Sequence, residues 1–149
     1  MSEREQTNIF FNAKGEYKKY YKQILVFLVS HEKGTPIEVS KNYDNFANRY
    51  HYYNRSKELE DAGEIILIND NPITYALNYE RYNFLQEPVL RNYFLQNDDL
   101  LWDVFSRHKY EFMEWWDILK QSQKYFNLDN TKKLRKDRKF NKFLSAALK

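Results

Sequence analysis

The stretch 57–68, KELEDAGEIILI, constrains this chain more than any other. Lys57, Glu58, Glu60 and Asp61 surround a single Leu59, Gly63 breaks the pattern, and Ile65-Ile66-Leu67-Ile68 follows at once. The charged half reads as an exposed helix anchored at Leu59. Gly63 can take the left-handed backbone that ends a helix and reverses the chain. The apolar, β-branched run after it reads as a strand.

The elements before this junction are helical. In EYKKYYKQILVFLVSHEKG, Tyr17, Tyr20, Tyr21, Ile24, Leu25, Phe27 and Leu28 recur at three- and four-residue spacing, one buried face that ends at Gly34 as its C-cap. Thr35 supplies an N-cap oxygen and Pro36 suits a first helical turn, so a short second helix is expected over about 36–42. Asp44 or Asn45 can cap a third helix running to Gly63. At 100° per residue, Tyr52, Ser56, Leu59 and, at the edge, Ala62 face inward, whereas Tyr50, Tyr53, Asn54 and Lys57 face outward. After Gly63, the runs Ile65–Ile68 and Ile73–Leu77 flank the turn-formers Asn69-Asp70-Asn71-Pro72, which predicts a β-hairpin.

Beyond about residue 84 no strand signal remains. Pro88 can open a helix, Asp98 can cap the next, and further helices carry Phe112, Trp115 and Trp116 and then Phe140, Phe143 and Leu144. The fold class is therefore mainly α with a small antiparallel hairpin, α+β. Three parts are expected: a flexible 1–15, a domain over 16–84, and a helical region over 85–149.

Three helices and a hairpin, with the third helix ending Leu59-x-x-Ala62-Gly63-x-Ile65, resemble the winged helix-turn-helix family. Gly34-Thr35-Pro36-Ile37 is similar to the family's entry into its second helix, and Tyr75-Ala76-Leu77-Asn78 to its returning wing strand. The resemblance covers about residues 16–82. It implies a third helix lying in the DNA major groove and a hairpin tip reaching the backbone or minor groove. Carried over position by position, Arg49, Tyr50, Tyr53, Asn54 and Lys57 would meet DNA. Asn54 suits adenine, and Tyr, Lys and Arg suit phosphates.

Segment 48–64 nevertheless holds three basic residues against four acidic ones, and the wing tip 69–72 has no Arg or Lys. A protein-interaction role for the winged helix thus stays open beside DNA binding.

Charge is distributed unevenly. Residues 1–84 hold 11 basic and 12 acidic residues, whereas 132–149 hold eight basic residues against Asp137 alone. Lys132, Lys133, Arg135 and Lys136 head that excess and suit a phosphate backbone, with or without sequence preference. Between these regions, Trp102, Phe105, Phe112, Trp115 and Trp116 form a heavy aromatic load. It is expected to build a homodimer interface that presents two third helices to a palindromic site.

The rest is exclusion. The chain has no cysteine, so thiolate zinc sites and a cysteine nucleophile are excluded. His31, His51 and His108 lack ligand spacing. No glycine-rich phosphate loop or hydrolase motif occurs. Neither an enzyme, a metal nor a cofactor is expected. The charged start, and an apolar run (Ile24–Val29) far short of the ~20 residues a membrane span needs, lead to the expectation of a soluble, cytoplasmic protein. Its expected role is that of a DNA-binding transcriptional regulator.

Overall fold

The computed structural model describes residues 15–122, with Ile9, Arg138 and Asn141. The chain divides into two compact units, residues 1–81 and 82–149.

The first unit contains α1 (Gly15–His31), β1 (Lys33–Gly34), α2 (Pro36–Asn42), a 3-10 turn (Phe46–Asn48), α3 (Arg49–Asp61), and the hairpin strands β2 (Ile65–Asp70) and β3 (Ile73–Leu77). Helix α1 buries Tyr20, Tyr21, Ile24, Leu25, Phe27, Leu28 and Val29. Tyr17, expected on that face, is exposed, and its ring is covered by the Arg55 guanidinium at 3.8 Å from the centroid.

Helix α2 opens with a capping box. The Thr35 hydroxyl accepts from the Glu38 amide at 3.0 Å, and the Glu38 carboxylate accepts from the Thr35 amide at 2.9 Å. Two otherwise orphaned donors are satisfied, which lets a helix of seven residues hold.

The α3–β2 junction turns at Gly63, within the stretch KELEDAGEIILI. Gly63 sits at φ +80, its amide donates to Glu60 O, and the Glu64 amide donates to Leu59 O, both at 2.9 Å. This pairing of the last carbonyls is a Schellman ending. Leu59 is fully buried, so the helix is pinned one turn before it stops.

The three strands form one antiparallel sheet in the order β1-β3-β2. In β3, Tyr75 lies opposite Leu67 on one side and Gly34 on the other. Ile68 is an extra residue in β2, since Leu67 pairs with Tyr75 while Asn69 pairs with Thr74.

Three local expectations are corrected here. Gly34 does not cap α1: the helix ends at His31, and Glu32, at φ 72, makes the left-handed turn. Gly34 is instead a strand residue, packed so close to the Phe27 ring that a Cβ would collide with it. Neither Asp44 nor Asn45 caps α3, because the 3-10 turn intervenes; Asp44 takes φ 51, and Asn45 spends its side-chain amide on Tyr52 Oη at 3.1 Å. The hairpin loop is shorter than four residues, because strand pairing extends to Asp70 opposite Ile73. That leaves Asn71 and Pro72, joined by a cis peptide, at the tip.

The second unit holds a 3-10 turn (Asn83–Gln86), α4 (Pro88–Gln96), α5 (Asp98–Asp103), a π-helical turn (Val104–His108) and α6 (Lys109–Ser122). The Glu87 carboxylate caps α4 by accepting from the Leu90 amide at 2.9 Å. Asp98 is not the cap of α5; Asn97 holds that position, and Asp98 and Asp99 occupy the first turn, where the helix dipole favours negative charge. No strand occurs among the described residues of this unit. The expected helix carrying Phe140, Phe143 and Leu144, like Lys132, Lys133, Arg135 and Lys136, falls on positions outside the described residues.

Candidate functional site

Helix α3 is held by its inner side. Tyr52, Ser56 and Leu59 are buried, and the Tyr52 hydroxyl donates to Gln23 Oε1 on α1. The Tyr52 ring meets Tyr20 edge to face at 4.9 Å between centroids. The opposite side therefore has a set orientation. Tyr50 is 68% exposed, Asn54 and Lys57 are exposed, and Arg49 and Tyr53 are half-buried. All five residues assigned to this side by periodicity or by the resemblance lie together on it.

Cations are laid over aromatic rings along this face. The Arg49 guanidinium lies 4.5 Å from the Phe46 centroid and 5.0 Å from that of Tyr50, and its Nη1 donates to Phe46 O at 3.2 Å. Lys41 Nζ lies 5.5 Å from the Phe46 centroid and Lys57 Nζ 5.9 Å from that of Tyr53. Such placement costs little side-chain freedom on binding, because the charged heads are already held at the surface.

The acidic count of segment 48–64 looks different in three dimensions. Arg55 is buried and pairs with Glu58, Nε to Oε1, at 2.5 Å. Glu64 is buried and pairs with Arg81 at 3.2 Å. Glu60 accepts from the Tyr75 hydroxyl at 3.1 Å. The acids thus serve internal contacts at the C-terminal end of α3, and Asp61 is the exposed one. Over 49–57, Arg49 and Lys57 face solvent with no acid between them.

A groove of about 680 Å³ opens beside this face. Pro36 and Ile37 of α2, Tyr50 and Tyr53 of α3, and Pro72 and Ile73 of the hairpin form its apolar walls, with Arg49 and Glu38 at its margin. Sequence reasoning missed it. Its one sequence signal is Ile37, an aliphatic residue in the first turn of α2, two positions after the Thr35 cap, and it stays 49% exposed.

The C-terminal aromatics, expected at a homodimer interface, pack against one another in the second unit. Trp102, Phe105, Phe112, Trp115 and Trp116 are all buried within the single chain, none more than 8% exposed. Phe112 packs on Phe84 at 4.6 Å and on Trp115 at 4.7 Å between centroids, and Phe105 packs on Tyr82 at 4.6 Å. Within the single chain they pack as core.

Three tyrosines among the described residues carry raised pKa values, Tyr52 through its burial and the other two through burial and a neighbouring carboxylate. Burial pushes Tyr21 and Tyr75 above the ordinary phenol range, and the carboxylates they donate to, Glu58 and Glu60, push the same way. Among the described residues no group of His, Asp and Glu is placed to hold a metal ion, and no helix is long and apolar enough to cross a membrane. No protein-family model matches the chain, and no match was found among curated proteins or solved structures.

Proposed function

We propose that the chain is a winged helix-turn-helix protein that binds double-stranded DNA through α3 and regulates transcription. The observation that supports this most is the outer face of α3. Arg49 and Lys57 are held over aromatic rings with no acid between them, while the neighbouring acids are drawn into contacts with Arg55, Arg81 and Tyr75. In this reading Arg49 and Lys57 neutralise phosphates, Tyr50 and Tyr53 donate to the backbone, and Asn54 reads adenine in the major groove. Lys132, Lys133, Arg135 and Lys136 add sequence-independent contacts.

The test is a titration of fluorescent duplexes at several salt concentrations. Each phosphate contact steepens the fall of log affinity with log salt by about 0.9, so Arg49→Ala with Lys57→Ala should flatten the slope by about 1.8. Asn54→Ala should cost about 1–3 kcal/mol on the preferred duplex, with the slope almost unchanged. Duplex affinity indifferent to all three changes overturns the reading.

A second reading, a protein-interaction module, is favoured by the apolar groove and by a hairpin without Arg or Lys from Gly63 to Leu77. Under it, Ile37→Asp would abolish partner binding and leave duplex affinity as it was.

A further inference from the structure

Among the described residues the large apolar side chains left exposed include one consecutive run: Ile66 at 45%, Leu67 at 38% and Ile68 at 47%. All three are in β2, an edge strand of the sheet, so the strand also presents a row of unpaired amides and carbonyls. Such an edge templates pairing, and proteins normally blunt it with lysine, proline or a very short strand. The opposite edge is blunted in just this way: β1 has two residues, one of them Lys33. Edge β2 has six residues, and its only charge, Asp70, sits at its end.

We propose that β2 pairs with β2 of a second copy of this chain, antiparallel about a twofold axis passing through Ile66–Ile68. A second copy fits because the contact is self-complementary. Each edge supplies to the other what it lacks, and closure by a twofold uses up both. Head-to-tail growth is prevented because the β1 edge is too short and too charged to accept β2. Charge also sets the direction. Antiparallel pairing centred on this run puts the two Asp70 carboxylates at opposite ends of the ladder, about 20 Å apart. Parallel pairing would set them side by side.

The size of the contact sets its strength. A strand of six residues is about 20 Å long, and its edge with flanking side chains covers on the order of 400 Å² per copy, so about 800 Å² in all. Stable dimers bury roughly 1,200–2,000 Å². The bulge at Ile68 twists the strand and shortens the ladder further. The dimer is therefore weak and concentration-dependent. The proposal stands independently of the DNA reading.

Two experiments decide it. In sedimentation over a series reaching millimolar concentration, the chain should pass from monomer to dimer. Ile66→Lys with Ile68→Lys should weaken association at least about tenfold, as charge on an exposed edge does. Because the chain has no cysteine, a single thiol can also be introduced. Leu67→Cys, which would face its own copy across the twofold, should form a disulfide-linked dimer under mild oxidation much faster than Asn54→Cys, whose thiol would lie on the outer face of α3. The thiol comparison decides the matter even if the double lysine variant fails to fold. A chain that stays monomeric throughout, a folded lysine variant that associates like the parent, or equal cross-linking from positions 54 and 67 overturns the proposal.

Discussion

Arg81 Nη1 lies 3.2 Å from Glu64 Oε1, and the Glu64 side chain is completely buried. The same nitrogen donates to Ala62 O at 3.2 Å, so one guanidinium joins the turn that follows β3 to the end of α3. A buried carboxylate that loses its cation stays desolvated without compensation, which commonly costs 3–5 kcal/mol. Arg81→Met should therefore lower the unfolding free energy of the first unit by about 3 kcal/mol, read by urea titration. Adding Glu64→Leu should recover much of that loss, since a well-packed apolar pair often replaces an ion pair at little cost. If Arg81→Met is neutral, the pair does not brace the α3–β2 junction.

Gly34 and Phe27 form a second dependence across elements. Gly34 is buried in β1 opposite Tyr75, and the Phe27 ring fills the space a Cβ would need. That ring is also stacked on His31 at 4.1 Å between centroids, which limits its retreat. Gly34→Ala should destabilise by about 1–3 kcal/mol, as overpacking does. Phe27→Leu in the same background should cost less than it does alone. Thermal unfolding of the four variants in a double-mutant cycle checks this, and simple additivity would show that the two residues are not coupled.

The tyrosines Tyr21 and Tyr75 make an alkaline prediction. Their hydroxyls donate to Glu58 at 2.7 Å and Glu60 at 3.1 Å, and burial followed by those carboxylates raises both pKa values above the usual phenol value near 10. A group whose folded pKa is raised binds its proton more tightly when folded. Its contribution is fully present below pH 10 and is lost as pH climbs towards the folded value. Stability should thus fall above pH 10 by about 1.4 kcal/mol per pH unit for each tyrosine. Tyr21→Phe and Tyr75→Phe should each remove one such slope. Parallel pH profiles for parent and variants would show that the two phenols are not the source.

What could be read from the residues alone is what is settled within a few positions along the chain. Gly63 between a charged helix and a β-branched run can hardly do anything except end one and start the other, because its left-handed φ is available to few other residues. The Thr35-Pro36-Ile37-Glu38 cap is likewise complete within four residues. The inward and outward sides of α3 follow from helical period. Where several separated segments meet, the outcome was decided only by tertiary structure. Gly34 reads as a helix stop until Phe27 is seen filling the space beside it and β3 pairing with it. A count of charge in 48–64 cannot show that Arg55 and Arg81 draw in Glu58 and Glu64, because the second pairing spans 17 residues. The groove needs α2, α3 and the hairpin tip side by side. Nor can aromatic content tell a core from an interface: Trp115 and Trp116 have the same composition buried or exposed, and only the arrangement of the helices around them sends these rings inward while Ile66, Leu67 and Ile68 are left at an open edge.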